Sequence, residues 1–305
     1  MGSSFPKVGV GYVQRGEYKA DYDITSLPGI AGALPIAIAV APNGGKRTRA
    51  DHVALPITAK ELAVTASECL EAGACMIHLH VRDRLGQHLL DSQAYAGAIA
   101  AVRDAVGSRL VVQITSESVG IYTPAEQMAV IRQVRPEAVS LALRELAPHE
   151  RDEYAFAGFL EWLRSERIAP QIILYSPDEA LRLAALYSRG LISFDRLAVL
   201  YVLGRHTPGQ RSSPADLLPF IAGSMPKFPH WSTCAFGPRE AACVTAAALL
   251  GGHMRVGFEN NLWRADGRLA SSNAELVSTV RAAVTGLGMS IAIADELRRD
   301  WGIER

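Results

Sequence analysis

Along the chain, short apolar runs alternate with longer segments whose apolar residues recur at helical spacing. The runs are PIAIAVAP (35–42), MIHLHV (76–81), LVVQIT (110–115), AVSLAL (138–143), PQIILY (170–175), RLAVLYVL (196–203), HWSTCAF (230–236) and HMRVGFE (253–259). Each reads as a buried strand, and each is followed by a helical pattern with its own start signal. Thr58 with Glu61 forms a capping-box pattern, Thr123-Pro124 and Ser176-Pro177 pair a cap with a first-turn proline, and further starts fall near Ser92, residue 150, Ser213-Pro214, Arg239 and Ser272. ADELRRDW (294–301) predicts one more short helix at the end.

Eight strand–helix repeats predict the α/β class and a closed (β/α)8 TIM barrel over 35–305, a single domain preceded by an extension over 1–34. The competing open, doubly wound sheet lacks its usual mark, since no GxGxxG turn follows the first strand and no GxxxxGK[ST] loop occurs.

Composition narrows the function classes. Lys plus Arg equals Asp plus Glu at 31 each, and no basic stripe interrupts the balance, so a nucleic-acid partner is not expected. No apolar stretch approaches the roughly 20 residues needed to span a bilayer. The first residues lack the basic, apolar and small-residue order of an export signal, so a cytoplasmic location is expected. The four cysteines, at 69, 75, 234 and 243, form no CxxC and are expected to be free thiols. The apolar segment ITSLPGIAGALP (24–35) could cover a neighbouring copy, in keeping with a homo-oligomer.

In a barrel of this kind chemistry gathers at the C-terminal strand ends. In MIHLHVRD, His78 and His80 share one strand face, while Ile77, Leu79 and Val81 take the other. Two inward imidazoles at this spacing fit a shared metal, although hydrogen-bonded core histidines are the competing reading. A catalytic zinc takes three protein ligands and keeps one position open. RVGFENN offers the third: Arg255, Gly257 and Glu259 share a face if the strand runs through, which puts a carboxylate at its end. The competing reading there is an Arg255–Glu259 ion pair on one strand face.

Other strand ends add polar groups. QITSES places Thr115, Ser116 and Glu117 where they could bind substrate or simply cap a turn. LALRELAP puts Arg144 on the inward face with Ser140 and Ala142, followed by Glu145, and Lys46 to Arg49 form a basic cluster after the first strand. An anionic substrate would account for a buried arginine and a basic mouth.

LPIT (55–58), EAGACMIHLHVRD (71–83), GGHMRVGFENNLW (251–263) and SSNAELV (271–277), in this order, resemble the β-keto acid cleavage enzymes. The resemblance implies a (β/α)8 barrel with one zinc held by His78, His80 and Glu259. It implies condensation of a β-keto acid with acetyl-CoA, giving acetoacetate and the CoA thioester of the shortened acid. Arg255 would stabilise charge developing at the reacting carbons. The chain departs from the family pattern in four places. Asn260 stands where an acidic residue commonly follows the glutamate, TSES replaces STGG, PQIILY lacks a glutamate, and NGGKRTR replaces an acidic first loop.

The expectation is that Glu117 or Glu145 accepts the proton and that Arg47 or Arg144 reads the substrate, with Thr115, Ser116 and Asn260 as further substrate contacts. Two other functions remain open at this stage: a metal-dependent aldolase or hydrolase that does not use CoA, and a zinc- and metabolite-binding barrel without catalysis.

Overall fold

The computed structural model describes residues 34–303. The segment 24–35, read as a possible cover for a neighbour, lies almost wholly outside them, as does the extension it belongs to.

The elements in chain order are β1 (Ile38–Val40), α1 (Ala59–Ala72), β2 (Met76–Leu79), β3 (Val81–Arg82), β4 (His88–Leu89), α2 (Ser92–Val106), β5 (Val111–Thr115), α3 (Pro124–Val134), β6 (Ala138–Ala142) and α4 (Leu143–Leu146). There follow α5 (Glu153–Ser165), β7 (Ala169–Leu174), α6 (Pro177–Ser188), β8 (Ala198–Leu203), α7 (Leu218–Ile221), β9 (His230–Ala235), α8 (Glu240–Leu249), β10 (His253–Val256), α9 (Asn273–Thr285) and α10 (Ala294–Trp301). Eight strands close a parallel barrel in the order β1-β10-β9-β8-β7-β6-β5-β2. The TIM barrel expected from the alternation of elements is therefore the fold, and all eight predicted strands occur.

Strand parity sorts the side chains as the sequence requires. Ile38, Val40, Ile77, Leu79, Val112, Ile114, Val139 and Leu141 point outward into the main core beneath the helices. Met76, Val111, Ala138, Ala169 and Ala198 point inward at the lower end, where their mostly small size leaves room for a plug. That plug is α10 and its flanks: Leu297, Trp301 and Ile303 pack against this inner ring. Arg298 fixes the helix there through Glu137 at 2.6 Å and the carbonyl of Leu110.

The predicted helix starts hold. Thr58 and Thr123 cap α1 and α3 with complete capping boxes, and Ser176, Ser272 and Asp91 accept from the third backbone N–H of their helices. Three features differ from the sequence reading. The short β3–β4 hairpin after β2 had no legible pattern, being two residues per strand. The run LALREL bends into α4 at Leu143 instead of extending the strand. Strand β10 ends at Val256, not at Glu259.

The last difference shapes the site. Gly257 adopts φ +138°, and a Cβ there would lie 2.3 Å from the carbonyl oxygen of Ala41. Only glycine lets the chain leave β10 this close to β1. The turn is fastened by Ala41 N–H to Val256 O at 2.8 Å and Glu259 N–H to Ala41 O at 3.1 Å. Beneath it the buried Glu240 accepts from the Gly257 N–H and from the Asn261 amide. Burial raises the Glu240 carboxyl well above its ordinary value.

Gly257→Ala is expected to destabilise the fold by about 2 kcal/mol or more, because both the positive φ and the clash with Ala41 must be relieved. Urea denaturation measures this, and an unchanged midpoint would show that the turn tolerates a side chain.

Candidate metal centre and barrel mouth

His78 points inward from β2, one turn of the pleat above Met76, and is paired in register with Gln113 on β5. His80 follows one residue past the last paired position, with its backbone carbonyl accepting from the Asn43 amide at 3.0 Å. The two Nε2 atoms lie 3.2 Å apart. Glu259 Oε2 lies 3.8 Å from His78 Nε2 and 3.5 Å from His80 Nε2. Around a tetrahedral centre with bonds of about 2.0–2.1 Å, ligand atoms stand roughly 3.3 Å apart. The three side chains thus present their donor atoms at the separations a single metal ion requires, and they form a cluster able to hold one.

The surroundings favour this over a set of core hydrogen bonds. Glu259 Oε2 is buried and has no hydrogen-bond partner, while Oε1 takes Arg255 at 2.8 Å. His78 Nδ1 meets Gln113 Oε1 at 2.7 Å, which puts the proton on Nδ1 and leaves the Nε2 lone pair facing the centre. Burial first, and then the nearby Arg255 charge, push the His78 imidazole well below its ordinary value, so it is neutral. Burial alone would raise Glu259, but Arg255 and the imidazoles hold its carboxyl well below the usual range and keep it charged. The Gln113 amide is itself held: Nε2 donates to Gln171 Oε1 at 3.2 Å, and Gln171 donates to Ser232 at 3.4 Å. A chain of polar contacts thus crosses the barrel interior to orient one imidazole.

The ion pair between Arg255 and Glu259 exists, and it coexists with the metal-ligand geometry instead of replacing it. The route to it differs from strand parity. Arg255 is inward on β10, whereas Glu259 reaches the mouth through the Gly257 turn.

The remaining predicted residues divide. Glu117 lines the mouth, with Oε1 at 3.2 Å from Arg205 and Oε2 at 3.9 Å from His80 Nδ1. Thr115 also lines it, and its hydroxyl oxygen accepts the Glu117 N–H at 2.9 Å. Arg47 lines the outer cavity beside Lys46 and reaches the Glu259 carbonyl at 3.4 Å. Ser116 is turned away, donating to the Ser140 carbonyl at 2.9 Å.

Arg144 is a correction. The strand ends before it, so it sits on α4, pairs with Glu179 at 2.6 Å and lies over the Tyr175 ring, away from the inward face. Glu145 does not face the cavity either: it accepts the Ser118 N–H at 2.8 Å, and burial raises its carboxyl. Asn260 is fully buried beneath the mouth and does not line it; its carbonyl accepts from Gly237 N–H.

Several residues of the site carried no role in the sequence reading. Arg205 stands two residues after the end of β8, in the run YVLGRH, and lies over Phe236. The strand-end rule could have found it. Arg82 donates to the carbonyls of Gly44 and Arg47, pinning the basic loop over the mouth. His88, on the hairpin, contacts the Glu117 carbonyl through Nε2 at 2.7 Å, and burial lowers its imidazole to about 3. Only the three-dimensional fold brings that histidine to within 5.5 Å of the His80 ring.

Gln113→Leu removes the orienting bond without touching a ligand. Metal affinity is expected to fall about 10- to 100-fold, measured by competition with a chelator, while folding persists. Unchanged affinity would mean that Gln113 does not set the His78 tautomer.

Comparison with known proteins agrees with this architecture. The chain is 30% identical over 282 residues to 3-keto-5-aminohexanoate cleavage enzyme of Fusobacterium nucleatum, covering 88% of this chain and 98% of that protein. It is 25% identical to 3-oxoadipate:acetyl-CoA acetyltransferase of Cupriavidus necator, covering 88% and 95%. Among solved structures, a ternary complex of ObcA with a C4-CoA adduct and oxalate superposes with a TM-score of 0.64 at 18% identity, covering 81% of this chain and 67% of that one, a likeness of fold. The sequence profile of the beta-keto acid cleavage enzymes matches residues 35–303, and the chain belongs to that family.

Proposed function

We propose that the protein is a metal-dependent acyltransferase that converts a β-keto acid and acetyl-CoA into acetoacetate and a new acyl-CoA. Membership of the family supports an enzyme of the β-keto acid cleavage type, and the names of the relatives support acetyl-CoA as co-substrate. The observation that carries the metal is the trio of His78, His80 and Glu259 with donor atoms 3.2–3.8 Å apart. Two imidazoles and a carboxylate suit zinc, which when bound supplies Lewis-acid polarisation of a keto oxygen.

The residues of the chain do the rest. Arg255, buried and aimed into the mouth, fixes Glu259 through one guanidinium nitrogen, and its Nε and the other terminal nitrogen carry no hydrogen bond. Those free N–H groups are placed to stabilise oxyanion charge on the substrate. Glu117 is the carboxylate at the mouth that is not a candidate ligand, and it takes the proton from the carbon between the keto and carboxylate groups. Thr115 and His88 hold its backbone from two sides. Lys46 and Arg47, on the loop pinned by Arg82, supply positive charge for the anionic groups of the two substrates. Asn260, where the family commonly has an acid, carries an amide that cannot act as a base and does not line the mouth, which leaves that task to Glu117.

A β-keto acid panel with acetyl-CoA, followed by detection of acetoacetate and acyl-CoA, tests the reaction. Glu117→Gln is expected to lower kcat about 10²- to 10⁴-fold while metal content stays at the wild-type level. Acetoacetate formation without acetyl-CoA would favour a CoA-independent cleavage, and an undiminished kcat would remove Glu117 from the proton transfer.

A further inference from the structure

The inner surface of the upper barrel is divided into two unlike halves. Strands β2, β5 and β10 contribute His78, Gln113, Thr115 and Arg255. Strands β6 to β9 contribute Ala142, Ile173, Leu200, Val202 and Cys234, with Phe236 just beyond. These six form an apolar cluster of their own, separate from the core under the helices, and all six line the chamber facing His78, Arg255 and Glu259.

An apolar surface facing a polar site is unusual unless something apolar lies against it, because the interior of a small barrel is otherwise filled by its own side chains. Of the charged groups that share this chamber, Arg255 pairs with Glu259 at 2.8 Å and keeps two nitrogens free on the side of the reacting head, and Arg205 pairs with Glu117 at 3.2 Å. Burial lifts the Cys234 thiol to about 12, so it lines the chamber as a small neutral group.

We infer that the apolar half of the chamber receives the carbon tail of the β-keto acid, and that the substrate is one with a short, uncharged aliphatic tail. This rests on the proposed reaction and adds the substrate class. The carboxylate head stays at the mouth, where Lys46 and Arg47 lie. A tail bearing an ammonium or carboxylate would leave water for a wall made of these six apolar residues, and that cost opposes binding. Arg205 also lines the chamber, but it is held by Glu117 and lies over the Phe236 ring.

Three six-carbon β-keto acids that differ only at the tail provide the test: 3-oxohexanoate, 3-oxoadipate and 3-keto-5-aminohexanoate. With the metal-loaded enzyme and acetyl-CoA, kcat/KM is expected to be at least about tenfold higher for 3-oxohexanoate than for either charged acid. It is expected to exceed that of 3-oxopentanoate by about fourfold, the worth of one buried methylene. Ala142→Val should narrow the chamber and abolish that advantage over 3-oxopentanoate. Calorimetric titration of the same acids without acetyl-CoA reads the tail preference independently of turnover. Tightest binding of 3-oxohexanoate with no turnover of any acid would sink the proposed reaction and uphold the tail assignment. Preference for either charged acid in turnover or binding overturns it, and so does failure of all three to bind.

Discussion

The buried pair of Arg255 and Glu259 is the contact on which the rest of the site depends. A carboxylate placed in a buried site has little reason to remain charged once water is removed, because burial favours its protonated form. The guanidinium at 2.8 Å reverses that preference and occupies one carboxylate oxygen, leaving the other facing the imidazoles. Removing either partner would strand a buried charge, which costs far more than the pair contributes to folding. The barrel therefore has to deliver both residues together. It does so with one strand and one turn: Arg255 rides β10, and the Gly257 turn, seated against Ala41 and underpinned by the buried Glu240, returns Glu259 over it.

The same logic organises the neighbours. Gln113, Gln171 and Ser232 link three strands across the interior and end on His78, so the imidazole's orientation is tied to the barrel itself. Arg82 spends its donors on loop carbonyls, which converts a glycine-rich basic loop into a fixed rim. Opposite this polar half the inner wall is apolar. A reacting head and an inert tail of one small molecule would meet two different environments within a single chamber.

Much of this was legible in the sequence because its physics is local. Alternating apolar strands and capped helices specify the barrel, and strand parity alone places His78 and His80 together. Glu259 was identified for an incomplete reason. Parity assumed a strand through Gly257, whereas the residue arrives by a turn whose need for glycine depends on contact with Ala41, some 216 residues earlier in the chain. Arg144 and Glu145 failed for a related cause: an apolar run that could extend as strand bends into a helical turn after Ala142, and nothing periodic marks the bend. Gln113 and Arg205 lay within reach of the inward-face and strand-end rules. His88 did not, since a hairpin of two-residue strands leaves no pattern and its contacts are all tertiary.

The central claim is that His78, His80 and Glu259 bind one metal ion in the barrel mouth. Metal quantitation on protein loaded with zinc and dialysed, beside His78→Ala and Glu259→Ala variants of unchanged far-ultraviolet circular dichroism, tests it most directly. The account predicts one zinc per chain in the wild type and a loss of nearly all of it in each variant. Equal metal content in wild type and variants, or none in any of them, would contradict it.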